Sequence, residues 1–376
     1  MRKYTLTKEL PLMNLRIHFP PLAAVFCLCA ALLSAPSHAE QPEAPTYAEH
    51  QDLTYYLDAS GKKQPVRTAG DWETRRQHIL AGVQAVMGPL PQPKPKVRLE
   101  MKVIEETKIG DIARQKIEYH TDSADRVVRA WLFTPKDTER KLPAVLCLHQ
   151  TTKIGKDEPA GLGGNPNLHY ARELAQRGYV TLAPDYPSFG EHEFDFSPKH
   201  GYTSGSMKAI YDNTRALDLL QSLPQVDGDR LGCIGHSLGG HNTIFTAAFD
   251  TRIKAAVSCC GFTRFHKYYG GKLAGWTSSR YMPLIASQYD NSPDRVPFDF
   301  PELLAAIAPR ALLAVSPLHD DNFEVSGVKD SIASAQPIFK LLGKEQNLRA
   351  IYPDSAHDFP ADARKTAYEF FDEQLK

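Results

Sequence analysis

The 376-residue sequence predicts an α/β fold: a mostly parallel central sheet with helices on both faces and an N-terminal helical and extended arm. Two observations carry that expectation. Short apolar runs such as Pro143-Ala-Val-Leu-Cys-Leu148 have the unbroken hydrophobicity of strands buried on both faces. Between them lie amphipathic segments of helical spacing, so the pattern is one of strand–helix–strand units.

The elements follow in order. Arg16 and His18 precede the apolar run Leu22–Leu33, and small residues then lead to Ser37-His38-Ala39. A basic start, a short apolar centre and a small-x-small site predict a secretory signal peptide over residues 1–39, cleaved after Ala39. The run is shorter than the ~20 residues a spanning helix needs, so no integral membrane anchor is expected after cleavage. Met13 and Met1 both remain open as the start. Residues 40–96 read as an N-terminal region: a polar, irregular arm to about Pro65, a helix from Asp71 to Met87, and a proline-dense connector over 89–95. Residues 97–376 read as the catalytic domain. Its first strands, Arg98–Glu106, Ala113–His120 and Val127–Phe133, should be antiparallel. Buried strands follow at 143–148, 179–183, 230–234, 253–258, 311–315 and 348–352. Helices are expected near 168–177, 205–223 and 361–375. In such sheets chemistry sits outside the carboxyl ends of the strands.

Composition excludes some function classes. Lys plus Arg and Asp plus Glu total 44 each, so nothing attracts a polyanion and no nucleic-acid partner is expected. Without residues 1–39 the chain keeps 40 basic and 43 acidic side chains. It also keeps four cysteines: Cys147, Cys233, Cys259 and Cys260. Four thiols in so long a chain do not make a disulfide scaffold, and free buried thiols are expected.

Gly235-His236-Ser237-Leu238-Gly239-Gly240 stands directly after a buried strand and directly before a helical run. A G-x-S-x-G there forms a sharp strand-to-helix turn that lifts a nucleophilic serine above the sheet. The helix start offers backbone donors and positive dipole to a developing oxyanion. The serine needs a base and the base an orienting acid, after later strands in the order acid, then histidine. Strand 311–315 is followed by Ser316-Pro-Leu-His-Asp320-Asp321-Asn-Phe323, and strand 348–352 by Pro353-Asp354-Ser-Ala-His357. Ser237 is therefore the expected nucleophile and His357 the base, with the acid open between Asp320 and Asp321. Glu191-His192-Glu193 matches no helical ligand pair, so no metal site is expected there.

The elbow, the ordered partners and the strand–helix pattern together resemble the α/β-hydrolase superfamily over roughly Val97 to Leu375. Within it, Leu148-His-Gln-Thr-Thr152, Lys156-Asp-Glu-Pro-Ala160, Arg177–Asp185 and His357-Asp-Phe-Pro360 resemble the dienelactone-hydrolase-like and acetyl xylan esterase-like branch. The resemblance implies Asp320 as the acid, because relatives place it three residues before a hydrophobic residue, here Phe323. It implies an oxyanion hole from the amides of Leu238 and Thr151, with Gln150 beside them where relatives carry glycine. Gln150 in that position leaves its own amide as a further candidate. True dienelactone hydrolases use cysteine where Ser237 stands, which argues against dienelactone as substrate.

Exported members of the branch are often carbohydrate esterases. The expectation is thus a serine esterase of the periplasm or exterior, acting on a small-molecule or glycan ester without metal or organic cofactor. Aromatic residues between Cys259 and Tyr289, with Trp276 and Tyr281 among them, are expected either to wall the substrate pocket or to pack this insertion against the domain. The competing enzyme class is a serine peptidase or amidase of the prolyl-oligopeptidase type. Such enzymes usually carry an N-terminal propeller, which residues 40–96 are too few to build. The third reading is a binding protein that retains the fold. Oligomeric state is not legible.

Overall fold

The computed structural model describes residues 45–92, 97–136 and 140–376; the expected signal peptide lies outside them. Among the described residues no helix is long and apolar enough to cross a membrane.

The first elements are a short antiparallel pair, β1 (Tyr55–Leu57) and β2 (Lys63–Pro65), and helix α1 (Ala69–Met87). The hairpin lies in the segment expected to be irregular. Its turn is closed by Asp58, whose carboxylate accepts from the amides of Ser60 and Lys62 and from the Gln64 side chain. Gly61 takes the left-handed backbone that lets the chain reverse there. Thr68 and Asp71 form a reciprocal capping box that starts α1. Nor is the arm loose on the surface. Tyr47, Leu53 and Tyr55 are buried, and the Arg75 guanidinium lies 3.0 Å from the Tyr47 ring centroid. Arg75 and His50 both bind Glu302, at 2.5 and 2.8 Å.

Three antiparallel strands follow: β3 (Lys102–Ile109), β4 (Ile112–His120) and β5 (Val127–Pro135). Then come β6 (Leu142–Leu148), α2 (Tyr170–Gln176), β7 (Val180–Pro184), α3 (Gly205–Ser222) and β8 (Val226–His236). The remainder is α4 (Leu238–Phe249), β9 (Ile253–Cys259), α5 (Leu284–Ser287), α6 (Phe300–Ile307), β10 (Ala311–Val315), α7 (Val325–Leu341), β11 (Leu348–Ile351) and α8 (Ala361–Leu375).

The main sheet has the order β11-β10-β9-β8-β6-β7-β5-β4-β3. Strands β7, β6, β8, β9, β10 and β11 run parallel. Every residue of β6, β7 and β10 is buried, as unbroken apolar runs require. The expected α/β-hydrolase fold, mostly parallel with helices on both faces, is what the chain adopts. Two apolar cores lie one on each face. One holds α1, α3, α4, α6 and α7 residues; the other holds α2 and α8 residues such as Leu174, Phe370 and Phe371. The parallel strands therefore end together along one edge, where β6, β7, β8, β9, β10 and β11 each hand over to a loop or turn.

Candidate active site

Ser237 follows the last residue of β8 and precedes the first of α4, with φ 53° and ψ −116°. A β-carbon at positive φ costs energy, and only surroundings that fix the turn sustain it. Two features fix it here. The Ser237 amide donates to the Cys259 carbonyl at 2.9 Å. The flanking glycines permit contacts no side chain would allow: a Cβ on Gly235 would sit 2.2 Å from the Gly239 carbonyl oxygen, and one on Gly239 1.9 Å from that of Leu148. The motif's glycines are thus steric requirements of the strand–helix approach.

His357 stands in the loop after β11. Both carboxylate oxygens of Asp320, in the loop after β10, lie 2.9 Å from its Nδ1. Asp321 is exposed and Asp320 is buried. Burial pushes the Asp320 carboxyl up, but hydrogen bonding and charge from His357, with the Phe323 and Asn322 amides, hold it below the ordinary value. An ionised carboxylate accepts, so the Nδ1 of His357 carries the proton and Nε2 keeps its lone pair. Phe323, three residues beyond Asp320, packs its ring 5.9 Å from that of His357. The loop itself is held by Asp358, which accepts from the side-chain amides of Asn165 and Asn167 at 3.0 and 2.6 Å.

Ser237 opens into a recess of about 70 Å³ shared with Thr151, Leu238, His241, Tyr268, Trp276, Tyr281 and Phe323. Four residues singled out in the sequence, Thr151, Leu238, Trp276 and Tyr281, therefore meet at the serine. The Thr151 and Tyr281 hydroxyls lie 3.1 Å apart. Trp276 is 3% exposed, packed among Phe265, Tyr268, Phe300 and Phe323, and its indole N–H has no partner. Its ring is thus largely enclosed, and the recess meets only part of it.

Gln150 is not part of the recess wall. Its side-chain amide donates to Glu158 at 3.1 Å, and its carbonyl oxygen lies 3.1 Å from Nδ1 of His236. His149 accepts the Tyr186 amide at Nε2, so its Nδ1 donates to the Gln150 carbonyl at 2.6 Å. The loop after β6 is in this way pinned from both sides. Sequence reasoning passed over His236, Glu158 and Cys260. Glu158 was within a quoted motif and His236 within the elbow itself, so the signal was present, but only contact reveals their use. Glu191-His192-Glu193 is dispersed: Glu191 binds Lys116 and Lys156, while His192 meets Asp212 at 3.1 Å.

With this geometry established, the comparisons are direct. The model of the prolyl oligopeptidase family, Peptidase_S9, matches residues 167–376. The chain belongs to that family. The matched region runs from ahead of α2 through α8 and includes Ser237, Asp320 and His357. The family is one of serine hydrolases, and the chain is a hydrolase of this kind. The Bacillus subtilis protein YtaP, a hydrolase by name, is 30% identical over 257 residues, covering 65% of this chain and 83% of that protein. The quorum-quenching protein AidA of Acinetobacter baumannii is 28% identical over 158 residues, 41% of this chain and 47% of its own length. Among solved structures, a glucuronoyl esterase from Solibacter usitatus superposes with TM-score 0.69 at 20% identity, over 89% of this chain and all of that one. That likeness establishes the shared fold.

Proposed function

We propose that the chain is an exported serine esterase that hydrolyses short-acyl or uronate-type carboxylic esters of carbohydrates, through Ser237, His357 and Asp320. The observation that carries this reading is that one sheet edge holds a strained serine at a strand–helix turn and a histidine whose Nδ1 is bonded to a buried carboxylate. His357 takes the proton of Ser237 as the oxygen attacks the ester carbonyl. Asp320 keeps the ring in that tautomer and stabilises the imidazolium. The oxyanion is bound by the amide of Leu238, at the start of α4, and by that of Thr151 or Gln150 in the pinned loop after β6. The acyl group leaves as acid when water, activated by the same histidine, attacks the acyl-enzyme.

The substrate class rests on size and polarity. A recess of about 70 Å³ beside Ser237 suits a short acyl group. The Thr151 and Tyr281 hydroxyls in the recess wall offer polar contacts suited to a sugar ester. The structural likeness to a glucuronoyl esterase supports the same class. The basic–apolar–small pattern of residues 1–39 supports export. We assign residues 40–96 as an arm rather than a domain of its own, since its described part, residues 45–92, packs on the catalytic domain.

The family match favours one alternative, a peptidase or amidase. Hydrolysis of p-nitrophenyl acetate, longer acyl esters, acetylated xylan and methyl glucuronate, set against peptidyl p-nitroanilides, separates the two. Cleavage of short esters that Ser237→Ala abolishes is expected. Cleavage of anilides alone would establish the peptidase reading instead.

A further inference from the structure

Beside the triad, and sharing His357 with it, lies a set of ligating atoms of which His236 and Cys260 have no part in the proposed hydrolysis. A ring nitrogen of His236, a ring nitrogen of His357 and the Sγ of Cys260 all lie within 4.8 Å of one another. The tautomers present these histidines as ligands. Gln150 gives its amide N–H to Glu158, so its oxygen faces His236 and must accept, which places the His236 proton on Nδ1. Nε2 of His236 is then a lone pair, buried and without a hydrogen-bond partner. His357 likewise keeps its Nε2 lone pair while Nδ1 serves Asp320. The two rings meet edge to face with centroids 4.8 Å apart. A buried imidazole acceptor with nothing to accept is costly and rare.

We propose that His236, Cys260 and His357 form an inhibitory site for a soft divalent cation such as Zn²⁺. One thiolate and two imidazoles are the donor set such ions prefer, and a water completes the tetrahedron. Bonds of about 2.0–2.3 Å set ligand atoms roughly 3.5 Å apart, so the three must draw together by about 1 Å. The His357 side chain, 23% exposed, is both the entrance and the group that moves. Binding displaces the Cys260 proton to solvent and forms the metal–sulfur bond. It also occupies the lone pair with which His357 would act as base, so hydrolysis stops until the ion leaves. The inhibitory half rests on the triad reading above; the binding half does not.

The test uses the purified full chain and Cd²⁺ as a spectroscopic probe. One Cd²⁺ per chain, with a thiolate charge-transfer band that Cys260→Ser removes and Cys259→Ser retains, is expected. In parallel, Zn²⁺ should inhibit p-nitrophenyl acetate hydrolysis, and a chelator should restore it. Cys260→Ser and His236→Gln, each measured against its own metal-free rate, should shift the inhibition midpoint upward by at least ~10-fold. His236→Gln also keeps the test open should Cys260→Ser fail to fold. A band that survives Cys260→Ser, or inhibition unaltered in both variants, would overturn the site. A Cys260-dependent band without inhibition supports the site and overturns His357 as base.

Discussion

The parallel and antiparallel halves of the sheet differ in burial and in chemistry. Strands β6, β7 and β10 are buried at every residue, whereas β3 exposes most of its length, with Val103 and Ile104 at 40% and 46%. Every member of the proposed triad stands after a strand of the parallel half. Parallel strands need crossovers, so their carboxyl ends fall on one edge and their loops converge there. An antiparallel meander returns by tight turns and gathers nothing. Buried charges join the two halves as well: Lys208 on α3 pairs with Asp212 and with Asp122 in the turn between β4 and β5.

Four expected outcomes test that contrast. The largest is Ser237→Ala, which should lower kcat for short esters by about 10⁶ with the fold intact by circular dichroism. Asp320→Asn should cost about 10⁴ in kcat, because the amide stabilises the wrong His357 tautomer; Asp321→Asn should leave the rate within a factor of about two. Equal losses from both would unseat Asp320.

A stability effect comes next. Burial would raise the carboxyl of Asp212, but Lys208 and His192 bring it down to about 2. A depressed carboxyl stabilises the fold above the unfolded value near pH 4 and loses that contribution as pH falls toward 2. Asp212→Asn should therefore destabilise the chain by roughly 2 kcal/mol at pH 7 in urea unfolding, since it removes the nearer of the two carboxylates that hold the buried Lys208 ammonium and leaves only Asp122, at 3.3 Å. The gap between parent and variant should shrink as pH falls from about 4 to 2. The smallest effect belongs to the antiparallel edge: Ile104→Thr should change unfolding free energy by no more than about 0.5 kcal/mol and leave kcat unchanged. A large loss there would show that β3 contributes more than its exposure indicates.

Much of this was legible before any coordinates. The buried runs at 143–148, 311–315 and 348–352 all became strands within a residue or two. The elbow turned as its glycines demand, and the spacing from Asp320 to Phe323 selected the aspartate that meets His357. The hairpin at 55–65 was missed because its two three-residue strands carry no periodic pattern, and a side chain, Asp58, closes its turn. For Trp276 both sequence readings hold in part: it reaches the recess beside Ser237, and most of its ring is packed among Phe265, Tyr268, Phe300 and Phe323.

The fold class, the expected serine, its expected partners and the edge where they stand were legible because they depend on local hydrophobicity and on motifs whose sterics are contained within a few residues. Which nitrogen of His236 is free, what Gln150 does in place of glycine, and that Cys260 lies beside the two histidines came only from the packed chain. Most of the contacts behind those facts join residues far apart in sequence, such as Gln150 with His236 and His236 with His357. Their geometry is set by how the parallel strands pack, which no local pattern encodes.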